Sequence, residues 1–134
     1  MLALLAAQSE YPSGVSLTVN LYGFSSWNGL VRLALFDSSE YWPEDKDNAV
    51  LALSAPIEGD TVVIEISALA PGEYAIAAFH DEDGDAVFDR GLFGVPTERY
   101  GFSNNARGST GPPDYEDALF TVAGDSLVIS IDLD

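Results

Sequence analysis

The sequence predicts an all-β fold, a seven-stranded β-sandwich with Greek-key connections. Two observations lead to this prediction. Apolar and polar residues alternate with a period of two over short segments, which is typical of strands with one buried face. Turn-forming residues, chiefly Gly, Pro, Asn and Asp, separate these segments. A short piece within residues 39–49, opened by Trp42 and Pro43, is the one helix candidate.

Seven segments have the character of strands. Residues 15–21 (VSLTVNL) alternate strictly between apolar and polar side chains. Residues 30–36 (LVRLALF) are apolar at nearly every position, which predicts a central strand covered on both faces. The other five are bounded by turn residues; they are residues 50–55, 61–66, 73–80, 118–122 and 127–133.

The first ten residues interrupt this alternation. Residues 2–7 (LALLAA) form a short apolar run that ends in small residues, as at the end of a secretory signal, although the basic opening of such a signal is missing. Two interpretations stay open. Residues 1–10 are the remnant of a signal peptide or a disordered N-terminus, or they form an ordinary first strand. Residues 11–134 are expected to form a single domain. The signal interpretation predicts a periplasmic or secreted protein.

The charge is strongly negative. The chain of 134 residues has 5 Lys and Arg against 22 Asp and Glu, a net charge of −17. Such a field repels phosphate backbones and attracts cations, so nucleic acid is not an expected partner. The absence of cysteine excludes disulfides and thiolate chemistry. The apolar run at the N-terminus is too short to span a membrane, and no other segment resembles a span.

The region between the fifth and sixth strands, residues 81–116, is predicted to be one long, ordered loop. Loops of this length are uncommon in compact domains unless they have a function. Its apolar side chains are numerous enough to pack it onto the sandwich. The stretch from Arg107 to Pro113 has a flexible composition, whereas Arg90, Arg99 and Arg107 are expected to hold the loop to carboxylates.

The start of this loop predicts a calcium site. Asp81, Asp83, Asp85 and Asp89 have the spacing of ligand positions one, three, five and nine of a calcium-binding loop, with the carbonyl of Val87 at position seven. Two expected features differ, because Ala86 replaces the usual glycine and Leu92 replaces the usual glutamate. Missing ligands would therefore come from elsewhere, with Glu98, Asp114 and Glu116 as candidates. The alternative is an exposed acidic turn stabilised by Asx turns.

The second half of the loop predicts a possible ligand surface. Its candidates are aromatic or amide side chains that a sugar or peptide could contact: Phe93, Tyr100, Phe102, Asn104 and Asn105. The aromatic residues could equally form a small core for the loop itself.

His80 is the single histidine and ends the fifth strand. It either belongs to the same ligand surface, is hydrogen-bonded to the loop, or acts as the base of a hydrolase with Ser103 or Thr97 as the nucleophile.

A longer pattern links these features. FHDEDGD, FD, LFGVPTERYGFSNNA and GPPDYEDALFTV follow one another between Phe79 and Val122. This pattern resembles the bacterial family called domain of unknown function 2141, and the preceding LAPGEYAIAAFH is similar as well. The predicted seven-stranded sandwich is of the immunoglobulin- or transthyretin-like type. The resemblance implies an exported protein whose sandwich is similar to transthyretin-like and carboxypeptidase regulatory domains. It implies no established activity.

Three functions follow from these observations. The first is an exported, non-catalytic module whose acidic loop binds Ca²⁺ and which presents a surface to a protein or glycan partner. The second is a purely structural or interaction domain without a metal. The third is a hydrolase that uses His80.

Overall fold

A computed structural model of the chain describes residues 14–84, 98–109 and 111–133, together with the backbone of residues 3–8. The strands in these residues are β1 (Ala3–Gln8), β2 (Val15–Tyr22), β3 (Leu30–Phe36), β4 (Leu51–Pro56), β5 (Thr61–Leu69), β6 (Gly72–Asp81), β7 (Tyr100–Phe102), β8 (Phe120–Val122) and β9 (Ser126–Asp132). One helical turn, α1 (Tyr115–Ala118), and 3₁₀ turns at Lys46–Asn48 and Ser103–Asn105 complete the described elements.

The strands form two sheets. The first has the order β1-β5-β2-β9, in which β2 and β5 are antiparallel while β1 runs parallel to β5 and β9 parallel to β2. The second has the order β4-β3-β6-β7 and is antiparallel, and β8 pairs with the start of β6. The all-β prediction is therefore confirmed. Each of the seven predicted segments contains a strand, and β1 and β7 are two more.

The core lies between the sheets. Alternate side chains of the central strands point inward and are almost fully buried. Each large aliphatic side chain buried in this way contributes about 1.5–3 kcal/mol to stability. The main contributors are Val15, Leu17, Val19, Leu21, Val31, Leu33, Leu35, Val62, Ile64, Ile66, Ile76 and Ile131.

A second apolar cluster covers part of the outer face of the second sheet. Trp42 is at its centre, with ring centroids 5.5 Å from Phe36, 5.6 Å from Phe102 and 5.8 Å from Tyr115. The indole Nε1 donates a hydrogen bond of 2.9 Å to the carbonyl of Pro113. Trp42 therefore holds two surface segments against the sheet. In the first of them, residues 39–49, a single 3₁₀ turn forms where the sequence suggested a short helix.

The prediction of one long loop between the fifth and sixth strands is wrong for the described residues after 97. They contain β7, a 3₁₀ turn and α1. Ser103 joins these elements, because its buried Oγ donates to the carbonyl of Ala118 at 2.5 Å and accepts from the amide of Ile76 at 2.9 Å. The two bonds join residues that are 27 and 15 positions apart, so no sequence pattern indicated them.

The N-terminal residues have a regular backbone. Ala3–Gln8 pair in parallel with residues 62–67 of β5, which corresponds to the interpretation of an ordinary first strand. The signal-peptide remnant stays a prediction. No helix in the described part of the chain is long and apolar enough to cross a membrane.

Two tyrosines should make the fold sensitive to alkali: Tyr74 belongs to the core between the sheets, and Tyr115 packs against the second apolar cluster. Burial, with a further contribution from Asp37, raises the pKa of Tyr74 above the ordinary value of 10.0. Burial and nearby carboxylates, Asp37 first among them, also raise the pKa of Tyr115. The Tyr74 hydroxyl donates to the carbonyl of Ala70 at 2.6 Å, a bond that the phenolate cannot make.

A group whose pKa is higher in the folded state stabilises the protein below its unfolded pKa, and this contribution is lost as the pH rises through the folded pKa. We therefore expect the free energy of unfolding to fall above pH 10, the ordinary tyrosine value. Tyr74→Phe should make that fall shallower in urea unfolding measured over the alkaline range. Tyr22→Phe, at an exposed position, is the control. An equal slope in all three proteins would contradict the assignment.

Candidate functional site

The candidate site lies where β6 ends. His80 and Asp81 are the last residues of this strand, and both are fully buried. Consecutive side chains of a strand point to opposite faces, so His80 shares the core face with Ile76 and Ala78, whereas Asp81 lies on the outer face. Arg32 of β3 is opposite Phe79 in the register and therefore also lies on the outer face, close to Asp81.

Asp81 forms an ion pair with Arg32. The Nε of Arg32 donates to Oδ2 of Asp81 at 2.5 Å, and the side chains are 25% and 0% exposed, respectively. A buried carboxylate requires such a partner, because removing a charge from water costs several kcal/mol unless another charge compensates it.

Three carboxylates converge at this point. Single oxygens of Asp81, Asp83 and Glu98 lie within 4.8 Å of one another; we call these residues the acidic cluster. Glu98 comes from the chain just before β7, and its Oε2 accepts a hydrogen bond of 3.0 Å from the amide of Glu82. That bond fastens the turn after β6 to the start of β7. Asp81 and Glu98 are buried, whereas Asp83 is exposed.

The electrostatics of the acidic cluster favour a cation. Within the described part of the chain, the three carboxylates and the guanidinium of Arg32 give +1 − 3 = −2 when all are ionised. At an effective dielectric constant of about 20, two carboxylates this close repel by about 3 kcal/mol or more. A divalent cation would neutralise the remaining charge, and carboxylate oxygens are the ligands that Ca²⁺ prefers.

Three of the predicted calcium ligands are brought together. Asp81, Asp83 and Glu98 form the acidic cluster. Asp85, Val87 and Asp89 lie outside the described residues. The contribution of Arg32 was missed, because its sequence position is 49 residues from Asp81 and only the β3–β6 register brings the two together.

His80 has partners on both ring nitrogens. Nε2 is 2.7 Å from the carbonyl oxygen of Asn28, which can only accept, so this nitrogen carries the hydrogen. Nδ1 is 3.4 Å from Oγ of Ser25. The edge of Phe24 closes the remaining side, with ring centroids 5.6 Å apart. His80 thus joins β6 to residues 24–28.

Two serines continue this network to the turn. Ser25 and Ser26 donate to Oε1 and Oε2 of Glu82 at 3.1 and 3.0 Å. The nucleophile suggested for a hydrolase, Ser103, is instead buried between Ile76 and Ala118 and does not contact His80. The other suggestion, Thr97, lies outside the described residues. The hydroxyl near His80 is that of Ser25, which the sequence did not single out.

The predicted ligand surface divides into two parts. Tyr100 is half-buried and Phe102 is buried, and their rings are in contact at 5.6 Å. Asn104 and Asn105 instead stabilise the fold: the Nδ2 of Asn104 donates to the carbonyl of Leu119 at 2.6 Å, and the Oδ1 of Asn105 accepts from the amide of Asp132 at 3.0 Å. Phe93 lies outside the described residues.

The arginines of the loop also bond to the backbone. Nη1 of Arg99 donates to the carbonyl of Gly23 at 2.9 Å, and Nη2 of Arg107 donates to the carbonyl of Asp132 at 3.2 Å. Arg90 lies outside the described residues. The carboxylate pairing expected of Arg99 is therefore replaced by a hydrogen bond that holds β7 near the end of β2.

Comparisons with known proteins identify the family of this chain. A search of curated proteins and a search of solved structures each found no match. The model of the family described as "Uncharacterized protein conserved in bacteria (DUF2141)" matches residues 19–130. This range includes β3, β6 and β7, the strands that position the acidic cluster. Because the match covers most of the chain, the protein belongs to the DUF2141 family.

Proposed function

We propose that the protein is an exported, non-catalytic β-sandwich module of the Greek-key, immunoglobulin- or transthyretin-like type. In this proposal the acidic cluster binds Ca²⁺, and the module presents a binding surface to a protein or glycan in the periplasm or outside the cell. The observation that carries the proposal is the convergence of Asp81, Asp83 and Glu98, whose oxygens lie within 4.8 Å of one another.

The cluster has suitable chemistry for calcium. The three carboxylates each bring one oxygen to the cluster, and water or backbone carbonyls would supply the rest of the roughly six to eight oxygens that Ca²⁺ takes. Arg32 occupies Oδ2 of Asp81 and leaves the charge of the cluster at −2, which one divalent ion balances. Glu98 fixes the turn through the amide of Glu82, so two ligand-bearing segments are already joined before any ion binds. This preorganisation lowers the entropy lost on binding.

The role proposed for calcium is to close the turn after β6 onto β7. An ion bound by Asp81 and Asp83 on one side and by Glu98 on the other would link the end of the strand to the next element. A ligand that binds only the folded state stabilises it by mass action, by about 2.7 kcal/mol at one hundred times its dissociation constant.

Calcium should therefore raise the melting temperature. We expect an increase of about 10 °C between excess chelator and calcium at about one hundred times its dissociation constant, measured by thermal unfolding. Asp83→Asn combined with Glu98→Gln should abolish the increase, because the amides keep the shape but lose the charge. Glu58→Gln combined with Asp60→Asn removes the same charge at two exposed positions and is the matched control. Equal melting temperatures with and without calcium would exclude the site.

The metal-free alternative also has an observation in its favour. The ion pair between Arg32 and Asp81 already compensates the most buried carboxylate of the cluster. In that case the protein is a structural or interaction domain whose stability does not respond to calcium, and the control and the double variant behave alike.

A hydrolase based on His80 has weaker support. The contact in its favour is the distance of 3.4 Å between Nδ1 of His80 and Oγ of Ser25, and Ser25 would have to be the nucleophile. However, that hydroxyl donates to Glu82, and His80 itself is fully buried. A base needs a short bond to the proton that it removes, so this arrangement is better suited to joining two segments than to catalysis.

A further inference from the structure

The outer face of the second sheet has a groove of about 530 Å³. Its floor is formed by Ala52, Ala34 and Ala77, which lie directly opposite one another on β4, β3 and β6. The row continues on β7 with Phe102, opposite Ala77. Three methyl side chains in a row leave a shallow trough across the sheet, and the larger side chain of Phe102 closes one end.

The next row along the strands gives the groove its polar side. Ser54, Arg32 and Phe79 are opposite one another on the same three strands, and Tyr100 follows on β7. Asp81 fixes Arg32 through Nε. Among the described residues, the two terminal nitrogens of Arg32 make no hydrogen bond. Arg32 thus presents fixed donors at the edge of an apolar floor.

The opposite side of the groove carries both charges. Glu44, Lys46 and Asp47 belong to the segment that Trp42 holds against the sheet, and all three are exposed. Together with Arg32 they give two positive and two negative groups, a net charge of zero in a protein of −17. The rim therefore offers donors and acceptors in similar numbers and no net attraction for an ion.

We propose that this groove binds a neutral glycan, with a pyranose ring lying on the alanine row. This inference rests on the proposed function and specifies its partner. A pyranose has an apolar face of C–H groups and hydroxyls around its edge, and each hydroxyl both donates and accepts. The groove has the complementary arrangement: an apolar floor, aromatic rings at one end, and at the rim the donors of Arg32 and Lys46 and the acceptors of Glu44 and Asp47. Its volume is in the range of about 300–1,000 Å³ that is usual for ligand sites.

Other occupants fit less well. A peptide strand is recognised through free backbone groups at a sheet edge, which among the floor strands only β4 has; pairing there would extend the sheet sideways and would leave the alanine row uncovered. An anion is repelled by the overall charge and finds carboxylates on the rim. An alkyl chain has no polar group that could match the charged side chains of the rim.

The test is a titration of the full-length chain followed by ¹⁵N–¹H NMR. The neutral probes are maltotriose, cellotriose and chitotriose; the anionic probes are trigalacturonate and octanoate. At least one neutral trisaccharide should shift the amides of Arg32, Ala34, Ala77 and Tyr100, with a dissociation constant of about 1 mM. Both series are run in chelator and again in calcium. Because the calcium test measures melting temperature, either proposal can fail while the other holds.

Filling the trough should remove this binding. Ala34→Leu places a larger side chain at the centre of the row and should raise the dissociation constant of the trisaccharide by at least about tenfold. Ala52→Leu fills the same row from an exposed position on the edge strand β4. It tests the same prediction if the Ala34→Leu protein does not fold. Ser130→Leu adds the same side chain to the exposed face of β9 and is the control. No shift with any neutral probe at about 20 mM, shifts only with the anionic probes, or unchanged binding in both blocked variants would overturn the proposal.

Discussion

Replacing Arg32 with methionine should lower the free energy of unfolding by about 3 kcal/mol in chelated buffer. The methionine keeps the aliphatic part of the side chain but leaves Asp81, which is fully buried, without its guanidinium partner. Removing one member of a buried ion pair is strongly destabilising, because the remaining charge stays out of water without compensation. Urea unfolding at neutral pH measures the loss.

Calcium should restore much of this loss. Without Arg32 the acidic cluster has a charge of −3 rather than −2, so the electrostatic attraction for a divalent cation is stronger. We therefore expect the stabilisation by calcium to be larger in Arg32→Met than in the wild type. Lys46→Met removes one positive charge at an exposed position and should change stability by less than about 0.5 kcal/mol with or without calcium.

The outcome separates the two functions that involve this cluster. A large loss that calcium reverses supports a cation site next to the ion pair. A large loss that calcium leaves unchanged supports the structural alternative, in which Arg32 compensates the buried carboxylate of Asp81 without a metal. A loss no larger than that of Lys46→Met would contradict the importance assigned to the ion pair itself.

Much of the fold could be predicted from the sequence, because it depends on local alternation. The side chains of residues 15–21 that the alternation assigns to one face are the ones buried in the core. Elements without such a pattern were missed. β7 has three residues, one of which is glycine, and α1 has four, so neither is long enough to show a period. Their positions depend on tertiary contacts such as those of Trp42 and Ser103.

The site was predicted in part for the same reason. Asp81 and Asp83 are close in sequence, and a spacing argument is enough to place them together. Glu98 could be suggested only from its charge, since it reaches the cluster through the pairing of β7 with β6. Arg32 gave no signal in the sequence, because the register between β3 and β6 decides its partner.

Residues 25–29 contact the end of β6, and their substitution should lower the free energy of unfolding by a similar amount. Gly29→Ala should destabilise the protein by about 3 kcal/mol or more, because two effects add. Gly29 has a φ of 75°, which side-chain-bearing residues rarely adopt. A Cβ at this position would also lie 2.1 Å from the carbonyl oxygen of Asp81 and 2.7 Å from that of Glu82. Both obstacles are backbone atoms, which cannot rotate away.

Gly84→Ala separates these two effects. Gly84 has a similar φ of 70° and lies in the turn after β6, but a Cβ there would meet no atom of the described residues within 4 Å. Its substitution should therefore cost only the backbone strain, about 1–2 kcal/mol. Thermal and urea unfolding of both variants gives the steric contribution as their difference. Equal losses would mean that the close approach of residues 25–29 to the end of β6 does not constrain the turn. A much larger loss for Gly29→Ala would mean that this close approach does constrain the turn. The carbonyl of Asn28, the ring of His80 and the carboxylate of Asp81 are then positioned together. A substitution on either side of the end of β6 would therefore disturb the acidic cluster.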